Sequence, residues 1–232
     1  MQGVDLFITI TDRSRAEQFA AWFRTHGISL VLTALGQGTA TTEVLDFLGL
    51  EATEKAVLFS VVTPACKDTL VKELVSTMHL SAPGSGIAVC LPLSSIGGKT
   101  AMNYLTSGDP TKVPEIDVEE DETMKDAAYQ LIVAIANQGY TDKVMEAARS
   151  AGARGGTIVH TRSTGAEDAG KFFGMSIAEE REMIFIVAPT GEKNAIMQAI
   201  MAQAGPSTKA QAITLSLALE DVVGLFTTNP DQ

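Results

Sequence analysis

The chain has 232 residues, 45% hydrophobic and 19% charged, with 28 acidic side chains against 17 basic ones and a formal charge of −11. This apolar fraction excludes wholesale disorder, and the length suits one large domain or two compact domains of about 100 residues. The acidic balance argues against nucleic acid as main partner, because phosphate backbones are bound by clustered Lys and Arg.

In chain order, residues 4–10 are apolar and rich in β-formers, which predicts a strand. Residues 14–26 place Ala16, Phe19, Ala20 and Phe23 on one helical face, and Gly27 ends that helix. A second strand is expected at 29–34, a Gly/Thr-rich loop at 36–55 and a third strand at 57–62, stopped by Pro64. Leu70, Val71, Leu74, Val75 and Met78 form a second helical stripe, and 87–91 reads as a fourth strand. Residues 112–126 then carry seven carboxylates against Lys112 and Lys125, close to Gly108-Asp109-Pro110 and Pro114. Like charges keep such a segment extended, so it reads as a solvated linker, with docking of a basic partner as the alternative. Beyond it the same succession returns at 131–136, 141–151, 157–161, 183–188, 193–202 and 212–217.

The return is an internal repeat. At an offset of 125, Gly27 falls on Gly152, Phe47 on Phe172, Gly49 on Gly174, Glu54 on Glu179 and Pro64 on Pro189. Shared glycines and prolines mark backbone positions with special dihedral needs, so they weigh more than shared leucines. The expected fold is α+β: two tandem ferredoxin-like βαββαβ domains, 1–98 and 128–228, with an acidic linker at 99–127. In each, helices cover one face of an antiparallel sheet. The open face still carries apolar side chains and calls for burial within the chain or against another copy.

Chemistry-bearing clusters are scarce. His26, His79 and His160 are scattered, and no CxxC, HxxxH or HExxH spacing marks a metal site. Cys66 and Cys90 are too few for a disulfide framework and read as ordinary thiols of a reducing cytoplasm. Glu179 and Glu180 are adjacent and would point apart on an extended chain, and no GxSxG is present. An enzyme is not expected. No run approaches a membrane span, and the first residues lack the basic start of a secretory leader. Small residues cluster at Gly36-Gln37-Gly38-Thr39, Gly84-Ser85-Gly86, Ala153-Arg154-Gly155-Gly156 and Ser163-Thr164-Gly165, where exposed amides can cradle phosphate or simply make tight turns.

The stretch GARGGTIVHTRSTGAEDAGKFFGMSIAEEREMIFIVAP, residues 152–189, resembles the PII signal-transduction (nitrogen-regulatory) proteins around their long T-loop. Gly84-Ser85-Gly86 resembles the family's phosphate-wrapping B-loop. The resemblance implies a cytoplasmic regulator that senses a small effector, with ATP or ADP as cofactor and no metal, and acts on a target protein in nitrogen metabolism. Carried over by residue, it implies nucleotide contacts at Gly84, Gly86, Thr157, Gly165 and Arg181. It also implies a homotrimer and partner docking through the loop at 166–180. In that loop Phe172 and Phe173 sit between Gly170 and Gly174, with Phe173 the candidate anchor and Phe172, which aligns with Phe47, the candidate core plug. The chain departs from the family at Ile87, Ala166 and Glu167, and its loop has no tyrosine. A scaffold that has lost its ligand, and a dimeric α+β-barrel enzyme, are the alternatives.

Overall fold

The computed structural model describes residues 4–28, 30–37, 54–82, 85–107, 127–164 and 180–222. In the first half β1 (Asp5–Asp12) leads through a short 3-10 turn into α1 (Ala16–Thr25), then β2 (Val31–Gln37), β3 (Glu54–Val62), α2 (Pro64–Ser76) and β4 (Gly86–Pro92). A two-residue strand β5 (Ser95–Ile96) and α3 (Lys99–Ser107) follow. The second half holds β6 (Tyr129–Asn137), α4 (Thr141–Ser150), β7 (Thr157–Thr164), β8 (Glu180–Pro189), α5 (Thr190–Ala204) and β9 (Ile213–Leu219). The antiparallel order β4-β1-β3-β2 recurs as β9-β6-β8-β7, so both halves have the ferredoxin-like βαββαβ arrangement.

The repeated glycines have a direct physical cause. Gly27 and Gly152 follow α1 and α4 with φ of 79° and 107°, in the left-handed region that a Cβ disfavours. Each helix closes with the same crossed bonds. The amides of Gly27 and Ile28 donate to Arg24 and Phe23 carbonyls at 3.0 and 3.1 Å. Those of Gly152 and Ala153 donate to Arg149 and Ala148 at 3.1 and 3.0 Å. The last carbonyls of both helices are thereby satisfied in one Schellman turn, written twice in the sequence.

Strand alternation sorts the side chains onto two faces. On the outer face Phe7, Val31, Leu58 and Val62 meet Phe19 and Phe23 of α1 and Leu70 and Leu74 of α2, with the Phe7 and Phe23 rings edge to face at 5.9 Å. Ile132, Ala134, Ile184 and Ile186 meet α4 and α5 in the same way. On the inner face Leu6, Leu32 and Val61 of the first half share one core with Val133, Met183 and Leu215 of the second. The open sheet faces are thus buried within the chain, except along β4, where the inward Ile87, Val89 and Leu91 stay 58%, 44% and 38% exposed.

Two seams bring them together. At the first, β2 pairs with β7 through Val31↔Thr164, Leu32↔Ser163 and Thr33↔Arg162. At the second, β5 pairs with β9 through Ser95↔Ser216 and Ile96↔Leu215. In the nine-stranded order β4 and β5 lie at opposite ends, yet only Leu93 and Ser94 separate them. The Leu93 amide donates to the Val4 carbonyl at 3.0 Å and the next amide, Ser94, to the Ser216 carbonyl at 2.8 Å. A flat sheet would hold its end strands about 38 Å apart at ~4.8 Å per step, whereas three residues reach at most ~11 Å. The sheet must therefore curl until its edges meet, enclosing the inner core as a barrel.

Within it lies α3, whose Ala101, Met102, Tyr104 and Leu105 are all buried in the shared core. This corrects the reading of one segment. The range 99–127, read as linker, begins with a core helix, because apolar residues at 101, 102, 104 and 105 make one helical face; its acidic part, 108–126, lies outside the described residues. Within each βαββαβ unit the helices lie on one face, as expected, and α3, outside both units, packs on the inner side. No helix among the described residues is long and apolar enough to cross a membrane. Leu105 is 2% exposed. Leu105→Ala is expected to cost about 2–4 kcal/mol in urea unfolding, the toll of a core cavity.

Candidate functional site

One charged side chain enters the inner core. Arg181 pairs across the sheet with Asn137 on β6 and Thr161 on β7. Strand alternation puts it on the same face as Met183 and Phe185, which belong to the inner core. It is 2% exposed, the largest fully buried side chain of the described residues. Its carbonyl accepts a hydrogen bond from the Thr161 hydroxyl at 3.1 Å, but its guanidinium Nε and Nη2 have no partner. Burial lowers the guanidinium from its ordinary value, with the Tyr104 phenol partly opposing the shift. Burial likewise pushes the Tyr104 phenol up, and the Arg181 charge pulls it back. An arginine starts so far above neutrality that it stays a cation. Among the described residues no carboxylate pairs with it. A buried charge without a counter-ion is among the most costly arrangements a fold contains, so this position calls for an anion.

Polar groups of the same face surround it. Thr161 and Ser163 follow each other on the inner side of β7, both 6% exposed, and the Ser163 hydroxyl is buried without a partner. Ser163 stands opposite Leu32 at the first seam, so the polar patch touches both halves. From α3 comes Tyr104, buried and coupled electrostatically to Arg181. Beyond Met183 the interior turns apolar, and a narrow cavity between Leu6, Leu32, Leu105 and Ile135 has room for about one water molecule. The unpaired guanidinium donors of Arg181, with the Ser163 hydroxyl on the same sheet face, are a donor set that suits a carboxylate or phosphate oxygen. Among the described residues no three His, Cys, Asp or Glu side chains gather as a metal site.

Of the residues expected from sequence, Arg181 is therefore interior. Thr157 begins β7 opposite Phe185 and is exposed, four residues along the strand from Thr161. Gly86 begins β4 opposite Thr11, with β1, β3 and β2 between its strand and β7 in the sheet order. Within one chain the sheet does not set Gly86 beside Thr157 or Arg181. Gly84, Gly165, Phe172 and Phe173 lie outside the described residues. Glu180 is exposed at the start of β8. Tyr104 was missed because it sits in the range assigned to the linker; its spacing with Ala101, Met102 and Leu105 was the available signal.

Gly86 has a backbone reason to be glycine. Its φ is 138°, and a Cβ there would stand 2.2 Å from the Ile10 carbonyl oxygen. Ser85, just before it, is tied to its described neighbours. The Thr11 hydroxyl donates to the Ser85 carbonyl at 3.0 Å, and the Ser85 hydroxyl to the Leu80 and Ala82 carbonyls at 2.6 and 2.7 Å. Gly86→Ala is expected to cost roughly 2 kcal/mol or more in nucleotide-free buffer, read by urea denaturation. An unchanged midpoint would contradict this packing.

No family model and no curated protein matches the chain. Among solved structures it is similar to the ligand-free regulatory subunit of aspartate kinase from Thermus thermophilus. That match has 14% identity and a TM-score of 0.30, and covers 87% of this chain and 97% of the other. It is also similar to the acetolactate synthase small subunit from Thermotoga maritima, at 9% identity and a TM-score of 0.31, covering 94% and 99%.

Proposed function

We propose that this chain is a non-catalytic regulatory protein that senses a small anionic effector between its two halves. Arg181, buried with two unpaired donors, is the observation that carries the reading. The effector's carboxylate or phosphate group supplies the missing counter-charge, with Ser163 and Tyr104 as further donors. In this reading a ligand larger than a water molecule is admitted beside Arg181 by a shift of α3, which carries Tyr104. Occupancy is then coupled to the position of α3 through the ligand's different affinity for the two arrangements. The PII resemblance extends the proposal: the effector class includes ATP and ADP, the target belongs to nitrogen metabolism, and it docks through the loop at 166–180 with Phe173 as anchor. A homotrimeric assembly in the cytoplasm belongs to the same reading.

A thermal-shift panel of 2-oxoglutarate, ATP, ADP and AMP tests it on wild type and Arg181→Met. At 100-fold excess over Kd, an effector adds about 2.7 kcal/mol to wild-type stability. Methionine removes the buried charge at similar volume, so the effector-free variant is expected to be about 1–4 kcal/mol more stable and to lose the ligand-induced shift. A panel without any shift would favour the scaffold reading. A shift that survives the substitution would remove Arg181 from the site, and a destabilised variant would mark it as structural.

A further inference from the structure

The two outer edges of the repeat end differently. On β9 the inward Ile213, Leu215 and Leu217 are buried, and β5 pairs along that edge. Among the described residues β4 pairs with β1 alone. Its inward Ile87, Val89 and Leu91 stay exposed, and so do Val71 and Val75 of α2, at 46% and 51%. Elsewhere among the described residues only Leu35 and Ile158 are large, apolar and exposed. The two groups flank one edge from opposite sides of the sheet. Lys67 of α2 is paired with Asp5 of β1 at 2.8 Å and lies within electrostatic reach of Cys90, so this side of the helix lies over β1 and β4. Glu73, on the other side, is bonded to His26 just past α1. Val71 and Val75 stand two residues either side of Glu73, about 200° around the helix from it, and so face the β4 edge.

The backbone of that edge is open in a definite pattern. The Leu93 amide donates to the Val4 carbonyl, so by alternation Leu91, Val89 and Ile87 also point their amides and carbonyls at β1. Those of Ala88 and Cys90 point outward, to the side on which Ser94 meets β9. Pro92 faces outward too, where a residue without an amide hydrogen breaks no ladder bond. Between Gly86 and Pro92 there is no charged side chain and no break in register, the devices by which natural edge strands are kept single.

We propose that β4 pairs antiparallel with β4 of a second copy of this chain, about a twofold axis through Val89. The strand is self-complementary in that register. Val89 faces the partner's Val89, Ile87 faces the partner's Leu91, and Ala88 exchanges two hydrogen bonds with the partner's Cys90. Centring the axis on Cys90 would set Ala88 against the partner's Pro92, which has no amide to donate. Centring it on Ala88 would leave Leu91 without an apolar partner. With strands ~4.8 Å apart and each α2 lying over β4 and β1, the two α2 helices come about 10 Å apart, the spacing of packed helices. Val71 and Val75 are then covered together with the inner row. The five residues expose roughly 400 Å² per copy, so a pair brings together most of the ~1,000 Å² that a specific interface needs. The contact is isologous and closes at two; combined with the threefold assembly of the PII reading it gives six chains. It rests on the edge alone and is independent of Arg181.

Cysteine cross-linking tests the register. In a Cys66→Ser, Cys90→Ala background, Val89→Cys, Ile87→Cys and Leu91→Cys are each oxidised with copper phenanthroline and followed by non-reducing electrophoresis. All three positions are exposed, and far-UV circular dichroism checks each variant. A non-hydrogen-bonded pair holds its Cα atoms about 4.5 Å apart, within disulfide reach, whereas the two copies of residue 87, or of residue 91, stand about 14 Å apart. The expected result is a disulfide-linked dimer of Val89→Cys, forming roughly tenfold faster than with either other variant alone, and a comparable rate when Ile87→Cys and Leu91→Cys are mixed. Light scattering at micromolar concentration is expected to give an even number of chains for the wild type, and half that number for Val89→Lys. Equal cross-linking rates at the three positions, no cross-link at position 89, or a wild-type mass of one or three chains would overturn the proposal.

Discussion

The short link between β4 and β5 is the constraint on which the architecture depends. Two residues, Leu93 and Ser94, join strands at opposite ends of the sheet order, and their amides bond to the first and second halves in succession. No flat or gently twisted sheet satisfies both bonds. Once the edges are held together, the inner apolar rows of both halves face each other, and the sheet face that a lone βαββαβ unit would expose is covered except along β4. The hydrophobic gain of that burial is shared, so neither half owns its inner core.

Closure also creates the environment of Arg181. On a solvent-facing sheet its guanidinium would be hydrated and of small consequence. Inside a barrel plugged by α3 it is buried and coupled to the Tyr104 phenol, and no carboxylate pairs with it among the described residues. The cost of holding it there is borne by the surrounding apolar core. Under the proposed reading the site discriminates by charge, because an anion offsets the desolvation cost while a neutral ligand leaves the cation unpaired. The same proposal ties binding to α3, the element that links the halves and carries Tyr104.

Much of this was legible in the residues. Gly27 and Gly152 announced identical helix ends, and period-two rows on β1, β3, β6 and β8 announced sheets with two apolar faces. What covers a face is not written in its own alternation, which is why the closure of one half onto the other was only one of several outcomes open at that stage. The helix α3 was lost in the shadow of the acidic run that follows it, although Ala101, Met102, Tyr104 and Leu105 carry helical spacing. Arg181 entered through resemblance at the base of a loop; its burial depends on the β8 register and on α3, and neither is encoded locally. Gly86 was read as a phosphate contact, while its backbone and the nearby Ile10 carbonyl demand glycine on their own account.

A shared inner core makes the two halves unfold together, and the chain's single tryptophan makes that measurable. Trp22 lies on α1, buried against Phe23 in the outer core of the first half, so its fluorescence reports that half alone. Far-UV circular dichroism reports both. Equilibrium urea unfolding followed by the two signals should give one coincident transition. A Trp22 midpoint separated from the circular dichroism midpoint, or a two-step dichroism curve, would show halves that fold independently and would contradict the closed barrel.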